Sequence, residues 1–319
     1  MNKVICFGEA LIDMLSVEAE TFKQFPGGAP ANAAVAVAKM GGDSIFSGML
    51  GKDMFGSFLF KSLTSYGVNC DYIKWTDQAK TALAFVSLDA EGERSFEFYR
   101  PPAADLLFTP NDFDLEMFEQ SSIFHFCSNS LTEQAIAKTT QHGVNLASLN
   151  DNIVTMDVNL RKNLWPDSSD YQSTIIQFMA FADVIKVSLE ELEELVPKSN
   201  TLDLLKSLLK EKCELVMLTD GAKPIVCMTK EVTFEVTAPN VEAVDTTAAG
   251  DAFIGGFLYQ LSKQEISLSN LQQFVQSDEL KRAVSFASCC GAFTVTQQGA
   301  FPALPDKEMA AQFEQRGFV

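Results

Sequence analysis

Histidine is almost missing from this chain: His125 and His142 are the two among 319 residues. A histidine-rich metal site is therefore excluded. His125 lies in "SIFHFCS", a buried-strand pattern, and reads as a core residue rather than a base. Paired cysteines are missing as well. Cys6, Cys70, Cys127, Cys213, Cys227, Cys289 and Cys290 form no C-x-x-C pair and sit mostly in apolar surroundings, the pattern of reduced thiols in the cytosol. Basic residues are few, 24 Lys and Arg against 42 Asp and Glu, for a net charge of -18. Such a surface repels a nucleic-acid backbone or an anionic membrane, so neither is expected as a partner. An anionic substrate in a local basic pocket stays open, and the plain reading of the acidity is solubility. No apolar run approaches the ~20 residues of a membrane span. Glu9 and Asp13 interrupt the opening "MNKVICFGEALIDML", which a secretory leader would not tolerate, so a cytoplasmic protein is expected.

Several nucleotide and hydrolase signatures are lacking too. "FSGMLGKD" fails as a P-loop because Phe46 stands where the first glycine belongs and Asp53 follows Lys52. No G-x-G-x-x-G follows the first strand, and no G-x-S-x-G nucleophile elbow occurs. Repeats, low-complexity tracts and long linkers are absent.

What is present is material for a large core, since 47% of residues are hydrophobic. "KVICFG" reads as a buried strand. "PGGAPANAAVAVAKMGG" reads as a loop and then a helix, with Pro30 in its first turn and Gly41 after its end. "DSIFSGMLG" reads as one strand, and "FGSFLFKSLTSYG" as a helix stopped by Gly67. The alternation then breaks. "CDYIKWT" and "TALAFVSLDAEGERSFEFY" read as strands, the last two joined by a turn at Glu91-Gly92. After Pro110 the rhythm resumes through "SSIFHFCS", "IVTMDVN", "ADVIKVS" and "CELVMLTDG", with helices between. "PIVCMT" and "VTFEVTA" read as a hairpin, and the C-terminal part is mostly helical. The expected architecture is α/β: one three-layer, doubly wound domain over 1–319 with a mostly parallel sheet. A small β-sheet lid from about 10–30 and 70–105 is expected over it.

"AVDTTAAGDAFIGGF" carries the chemistry. Main-chain N–H groups of Ala249, Gly250 and Asp251 would lie at a helix N-terminus, unpartnered and at the positive end of its dipole, as suits phosphate. Asp251 would repel phosphate unless its task is to face a hydroxyl that attacks phosphorus; phosphoryl transfer asks only for a weak, well-placed base. The plain alternative is that Asp251 merely favours the helix start. Gly255 and Gly256 each cost about 1 kcal/mol inside a helix, so close packing or a close ligand is implied there.

"DTTAAGDAF", "PGGAPANAAVAVAKMGG" and "GMLGKDMFG", in this order, resemble the motifs of the ribokinase-like (PfkB) carbohydrate kinases, over residues 3 to about 307. "GERSFEFYRPPAAD" and "MDVNLRKNLWPD" are most similar to fructokinases, and aminoimidazole riboside kinases and 2-keto-3-deoxygluconate kinases share parts of both. The resemblance implies ATP-dependent phosphorylation of a sugar's primary hydroxyl, with Mg²⁺. It implies Asp251 as base, Ala249 and Gly250 as anion hole, and Arg161 on the transferring phosphate. Asp13, Gly27, Gly28, Asn32, Arg100 and Asn159 would bind the sugar. Lys186, Ser188, Thr219 and Gly221 would serve the nucleotide, and Glu191 would act on Mg²⁺ through water. Asp245 and Thr247 match positions whose carbonyls hold a monovalent cation such as K⁺, and a homodimer through the lid is a further expectation.

Plain readings stand beside these: turn and cap chemistry for Asp13 to Asn32, an edge charge for Arg100, an Arg161 paired with Asp157 or Asp167, and a solvated acidic face around Glu191. Ala248, Pro224 and Ser288 depart from the family pattern at the first glycine of the G-A-G-D box, the last glycine of the nucleotide loop and an adenine-pocket asparagine. They leave open a second class, a sugar- or nucleotide-binding sensor without catalysis.

Overall fold

The computed structural model describes residues 1–18, 21–88, 94–100, 102–167 and 169–316. The expected turn at Glu91-Gly92 lies outside them. Among the described residues fourteen strands follow one another: β1 Lys3–Phe7, β2 Leu11–Glu18, β3 Thr21–Gly27, β4 Asp43–Ser47, β5 Met49–Gly51, β6 Lys74–Thr76, β7 Leu83–Leu88, β8 Arg94–Tyr99, β9 Ser121–Cys127, β10 Ile153–Asp157, β11 Val184–Ser188, β12 Leu215–Thr219, β13 Ile225–Thr229 and β14 Thr233–Val236. Eight of them form the main sheet in the order β14-β13-β12-β11-β10-β9-β1-β4. It is parallel from β12 to β4, and the expected hairpin β13–β14 adds two antiparallel strands at one edge.

Alternation along β1 shows why the sheet is covered on both faces. Val4 and Cys6 join an apolar cluster with the helices Ala29–Lys39, Ala249–Lys263 and Asp278–Thr294. Ile5 and Phe7 point the other way, to the helices Gln134–Leu149, Tyr171–Met179 and Thr201–Lys210. A run with no polar face is what a doubly covered strand requires, and the three-layer α/β expectation holds. On the second face Phe7, Phe108 and Phe113 pack with ring centroids 4.9 to 5.3 Å apart. Each such pair adds about 0.5–1.5 kcal/mol beyond its buried area.

Small residues set the closest helix contact. Ala29–Lys39 is alanine-rich and presses against Ala249–Lys263. A Cβ on Gly255 would lie 2.5 Å from the Cβ of Ala36, and one on Gly256 would lie 2.7 Å from Cys290 Sγ. Helix packing, not a ligand, is what these two glycines serve. The stretch "DSIFSGMLG" differs from its reading as one strand. It breaks at Gly48 into β4, which pairs with β1, and β5, which pairs with β6; the break is held by a glycine, since an added Cβ would lie 2.4 Å from the Gly8 carbonyl oxygen.

β3-β2-β7-β8 form a separate four-stranded sheet. Leu11, Asp13 and Leu15 alternate onto the face toward the main domain, where Phe98 of β8 joins them. The other face carries Phe22, Phe85 and Tyr99, with ring centroids 5.3 and 5.0 Å apart along the row. Phe22 is 48% and Tyr99 60% exposed.

All seven cysteines are free thiols and six are buried. His125 is fully buried, with Nδ1 2.9 Å from Thr155 Oγ1, and burial pushes its pKa down to about 3. It is the neutral core residue its pattern suggested. Among the described residues no helix is long and apolar enough to cross a membrane.

Replacing Gly255 with leucine drives a side chain into Ala33 and Ala36. The expected loss is about 1–3 kcal/mol in chemical denaturation, the usual cost of overpacking a close-packed core.

Candidate active site

The main sheet reverses its winding at β1. The chain passes from β1 through a helix to β4 on one side and later returns through β9 on the other. At such a switch point the strand ends leave a crevice that neighbouring loops cannot close. Here the crevice is a cleft of about 980 Å³, roofed by Leu11, Asp13, Leu15 and Phe98 of the smaller sheet.

Asp251 sits in the first turn of the helix Ala249–Lys263, buried yet lining the cleft. Its Oδ2 accepts from Asn32 Nδ2 at 2.7 Å and its Oδ1 from Asn159 Nδ2 at 2.9 Å. Asn32 comes from the alanine-rich helix and Asn159 from the loop after β10, so three elements converge on one carboxylate. Asn159 has φ 41°, a left-handed conformation that asparagine tolerates better than most residues. Burial, then the nearby Asp157 carboxylate, pushes the Asp251 pKa up to about 6, against the Asn32 hydrogen bond and the charges of Arg161 and Lys186. The group is thus an ionised but reluctant carboxylate at neutral pH, suited to accept a proton.

Beneath it lies a buried ion pair, Lys186 Nζ to Asp157 Oδ1 at 2.9 Å and to Oδ2 at 3.1 Å. Burial works against the ammonium, but Asp157, with Glu191 behind it, holds the Lys186 pKa above its ordinary range. Nζ would lie 2.9 Å from a Cβ placed on Gly250, so position 250 has no room for a side chain. The helix start has no side-chain cap; Ala249 N makes a long bond to the Thr246 carbonyl at 3.4 Å, and the N–H groups of Gly250 and Asp251 are left for an anion. Ala248, the N-cap, has φ 59° and ψ 12°.

The expected residues divide into several groups. Asp251, Asn32, Asn159, Asp13, Gly28, Arg161, Asp245 and Thr247 all line the cleft. Gly27 stands behind Asp13, where an added Cβ would meet Asp13 Oδ2 at 2.3 Å. Gly28 has φ 105°, and a Cβ there would lie 2.5 Å from the Glu9 carbonyl oxygen. Arg161 is exposed and donates from Nη1 to the Leu160 carbonyl at 3.2 Å; Asp157 is paired with Lys186 instead.

Asp245 is a loop clasp, accepting from Thr247 N at 2.7 Å and from Gly299 N at 2.9 Å. Ser188 and Thr219 are register partners at the C-terminal ends of β11 and β12, with Gly221 in the following turn. Ser188 and Glu191 form a capping box, and Glu191 Oε1 also accepts from Leu160 N at 3.0 Å, tying the helix start to the Asn159–Arg161 loop. Among the described residues no cluster of three or more His, Cys, Asp and Glu could hold a metal ion.

Arg100 is buried away from the cleft lining. Its Nε donates to Asp105 Oδ2 at 2.7 Å, Nη2 to the Asn129 carbonyl at 2.9 Å and Nη1 to Thr132 Oγ1 at 3.5 Å. Glu9 and Asn129 line the cleft but were not anticipated from the sequence. The one signal for Glu9 was a charge just after an apolar strand. Glu9 Oε1 accepts from Ala29 N at 3.2 Å and from Asn129 Nδ2 at 3.1 Å. Glu9 Oε2, Asn129 Oδ1 and Asn32 Oδ1 are buried without a partner. Each such orphan costs about 1–3 kcal/mol, so a ligand that satisfies them gains accordingly.

The pfkB family carbohydrate kinase model matches residues 1–307. The chain is 40% identical over 314 residues to the probable fructokinase-6, chloroplastic, of Arabidopsis thaliana, covering 96% of this chain and 80% of that one. The crystal structure of a fructokinase with bound ATP from Xylella fastidiosa superposes with a TM-score of 0.94 at 44% identity, covering 98% of each chain. A fructokinase from Vibrio cholerae in its fructose-, ADP- and calcium-bound form gives a TM-score of 0.86 at 31% identity over 99% of each.

The left-handed Ala248 carries a cost of roughly 1–2 kcal/mol, part of which glycine would return as greater freedom of the unfolded chain. Ala248→Gly is expected to stabilise the fold by about 0.5–1 kcal/mol in chemical denaturation. Turnover should rise by no more than about thirtyfold; a gain of several orders of magnitude would mean that alanine had blocked the anion hole.

Proposed function

The chain belongs to the pfkB family of carbohydrate kinases, and we propose that it phosphorylates a primary hydroxyl of fructose with ATP, as a fructokinase. The observation that carries this reading is the Asp251 carboxylate. Asn32 and Asn159 clamp it at a helix N-terminus without a side-chain cap, inside a cleft of about 980 Å³. Asp251 takes the hydroxyl proton as the sugar oxygen bonds to the γ-phosphorus and the bond to the ADP oxygen breaks. The N–H group of Gly250, joined by that of Ala249 once it gives up its 3.4 Å bond to the Thr246 carbonyl, receives the migrating phosphoryl, with Arg161 at the cleft wall to meet its charge.

Asp13, Gly27, Gly28, Asn32 and Asn159 hold the sugar. Lys186, Ser188, Thr219 and Gly221 mark the nucleotide side, at the ends of β11 and β12. Mg²⁺, when bound, would neutralise phosphate charge, with Glu191 reaching it through water. The Asp245–Thr247 loop would hold K⁺. Arg100 anchors the last strand of the smaller sheet, and we assign it to sugar binding through Asn129 and Glu9 rather than by direct contact.

The four-stranded sheet acts as a lid that keeps water from the phosphoryl group, over a single domain of 1–319. Its aromatic row, exposed Phe22 and Tyr99 with half-buried Phe85 between them, supports a homodimer through this sheet. The free thiols and the absence of a membrane-crossing helix among the described residues fit a cytoplasmic enzyme.

Two measurements test the base. Asp251→Asn is expected to bind fructose and ATP in calorimetry but to turn over at least about a hundredfold more slowly; near-normal turnover would remove Asp251 from the role. The pH profile gives the second. A carboxylate with a raised pKa is a working base only above it, so kcat/KM should fall about tenfold per unit as pH drops below about 6. ADP release across fructose, other ketoses, 2-keto-3-deoxygluconate and aminoimidazole riboside identifies the substrate. Sugar binding without ADP release at high ATP would favour a sensor.

A further inference from the structure

We propose that Glu9 and Asn129 form an acceptor-only end of the cleft that reads neutral hydroxyl groups and turns away sugar acids, with Glu9 as its specificity-determining residue. The proposal rests on the sugar-kinase reading of the same cleft. Both residues are more than nine-tenths buried and both line the cleft. Asn129 turns its amide nitrogen to Glu9 Oε1, so its oxygen is the end left over. Asn32 is oriented likewise by Asp251 and also keeps a free oxygen. With Glu9 Oε2 this makes three buried acceptors without donors.

A polyol supplies hydroxyl protons to such oxygens. A carboxylate supplies none, and it would stand against the Glu9 carboxyl, whose pKa burial raises while the Arg100 charge and the Asn129 hydrogen bond hold it down. The cation at this end, Arg100, acts on Glu9 against the effect of burial but is already committed. Arg100 has each of its nitrogens engaged by Asp105, Asn129 or Thr132. Among the described cleft-lining residues the one cation is Arg161, against Glu9, Asp13, Glu190, Asp245 and Asp251. Ala29 N is also bonded to Glu9 Oε1, so the same carboxylate steadies the helix that carries Asn32.

Glu9→Gln is the discriminating variant. Oε1 already receives two N–H donors, so the glutamine oxygen must occupy that place. An NH₂ group is then left where Oε2 stood, and an acceptor becomes a donor at constant volume. KM for fructose is expected to rise about tenfold or more, with kcat changed less than about threefold. The preference for fructose over 2-keto-3-deoxygluconate should collapse by a larger factor, because the acid meets a donor and one charge less. A merely structural role would lower kcat and Tm and leave that ratio unchanged, and this outcome overturns the proposal.

Should the variant fail to fold, wild-type calorimetry decides the matter. Fructose binding about a hundredfold tighter than 2-keto-3-deoxygluconate supports the proposal, and equal or reversed affinity overturns it. A wild type that turns over fructose while Glu9→Gln keeps its selectivity sinks this inference alone. A wild type that phosphorylates no sugar sinks the kinase reading with it.

Discussion

One carboxylate shared by two amides holds the catalytic region together. Asp251 is buried, and burial alone would neutralise it; Asn32 and Asn159 offset part of that cost by donating to either oxygen. The arrangement needs three parts of the chain in register to a few tenths of an ångström. The alanine-rich helix can come close because Gly255 and Ala36 have almost nothing between them. The loop after β10 is tied down by Glu191 through Leu160 N. The helix of Asp251 starts where it does because Ala248 accepts a left-handed turn. Packing of small residues one helical turn behind the cleft is thus part of the chemistry, since it fixes a distance within it.

The Asp157–Lys186 pair explains a second constraint. Two buried charges are weak evidence of stability, and removing one partner usually leaves an expensive unpaired charge. Here the pair brings an ammonium against the glycine of the helix start and a carboxylate within range of Asp251. The first sets the space open to an incoming anion, and the second raises the proton affinity of the base.

Much of this was legible in the residues. The strands of the main sheet announced themselves as short apolar runs, and Asp251, Gly250, Asn32 and Asn159 stood in motifs whose order reflects one architecture. Other features had no local signal. Arg100 ends a strand with the look of an edge charge, and only the three-dimensional fold brings Asp105 and Asn129 to it. Glu9 is a single acid after a buried strand, and its partners lie twenty and 120 residues further on. The break at Gly48 sends its two sides into different sheets, β4 beside β1 and β5 beside β6, a division that no periodicity encodes. The short helix Leu268–Val275 escaped notice amid the longer helical segments around it.

The smaller sheet is woven from two distant stretches, with β2 and β7 joined in parallel so that Ile12 meets Leu83 and Leu15 meets Val86. Between these partners the chain must first build a helix, two strands of other sheets, a second helix and a third such strand. The sheet therefore has no contiguous genetic segment of its own. It cannot be excised, transplanted onto another scaffold or expressed by itself, and variation in its shape has to arise by point substitution within strands already committed to the rest of the molecule.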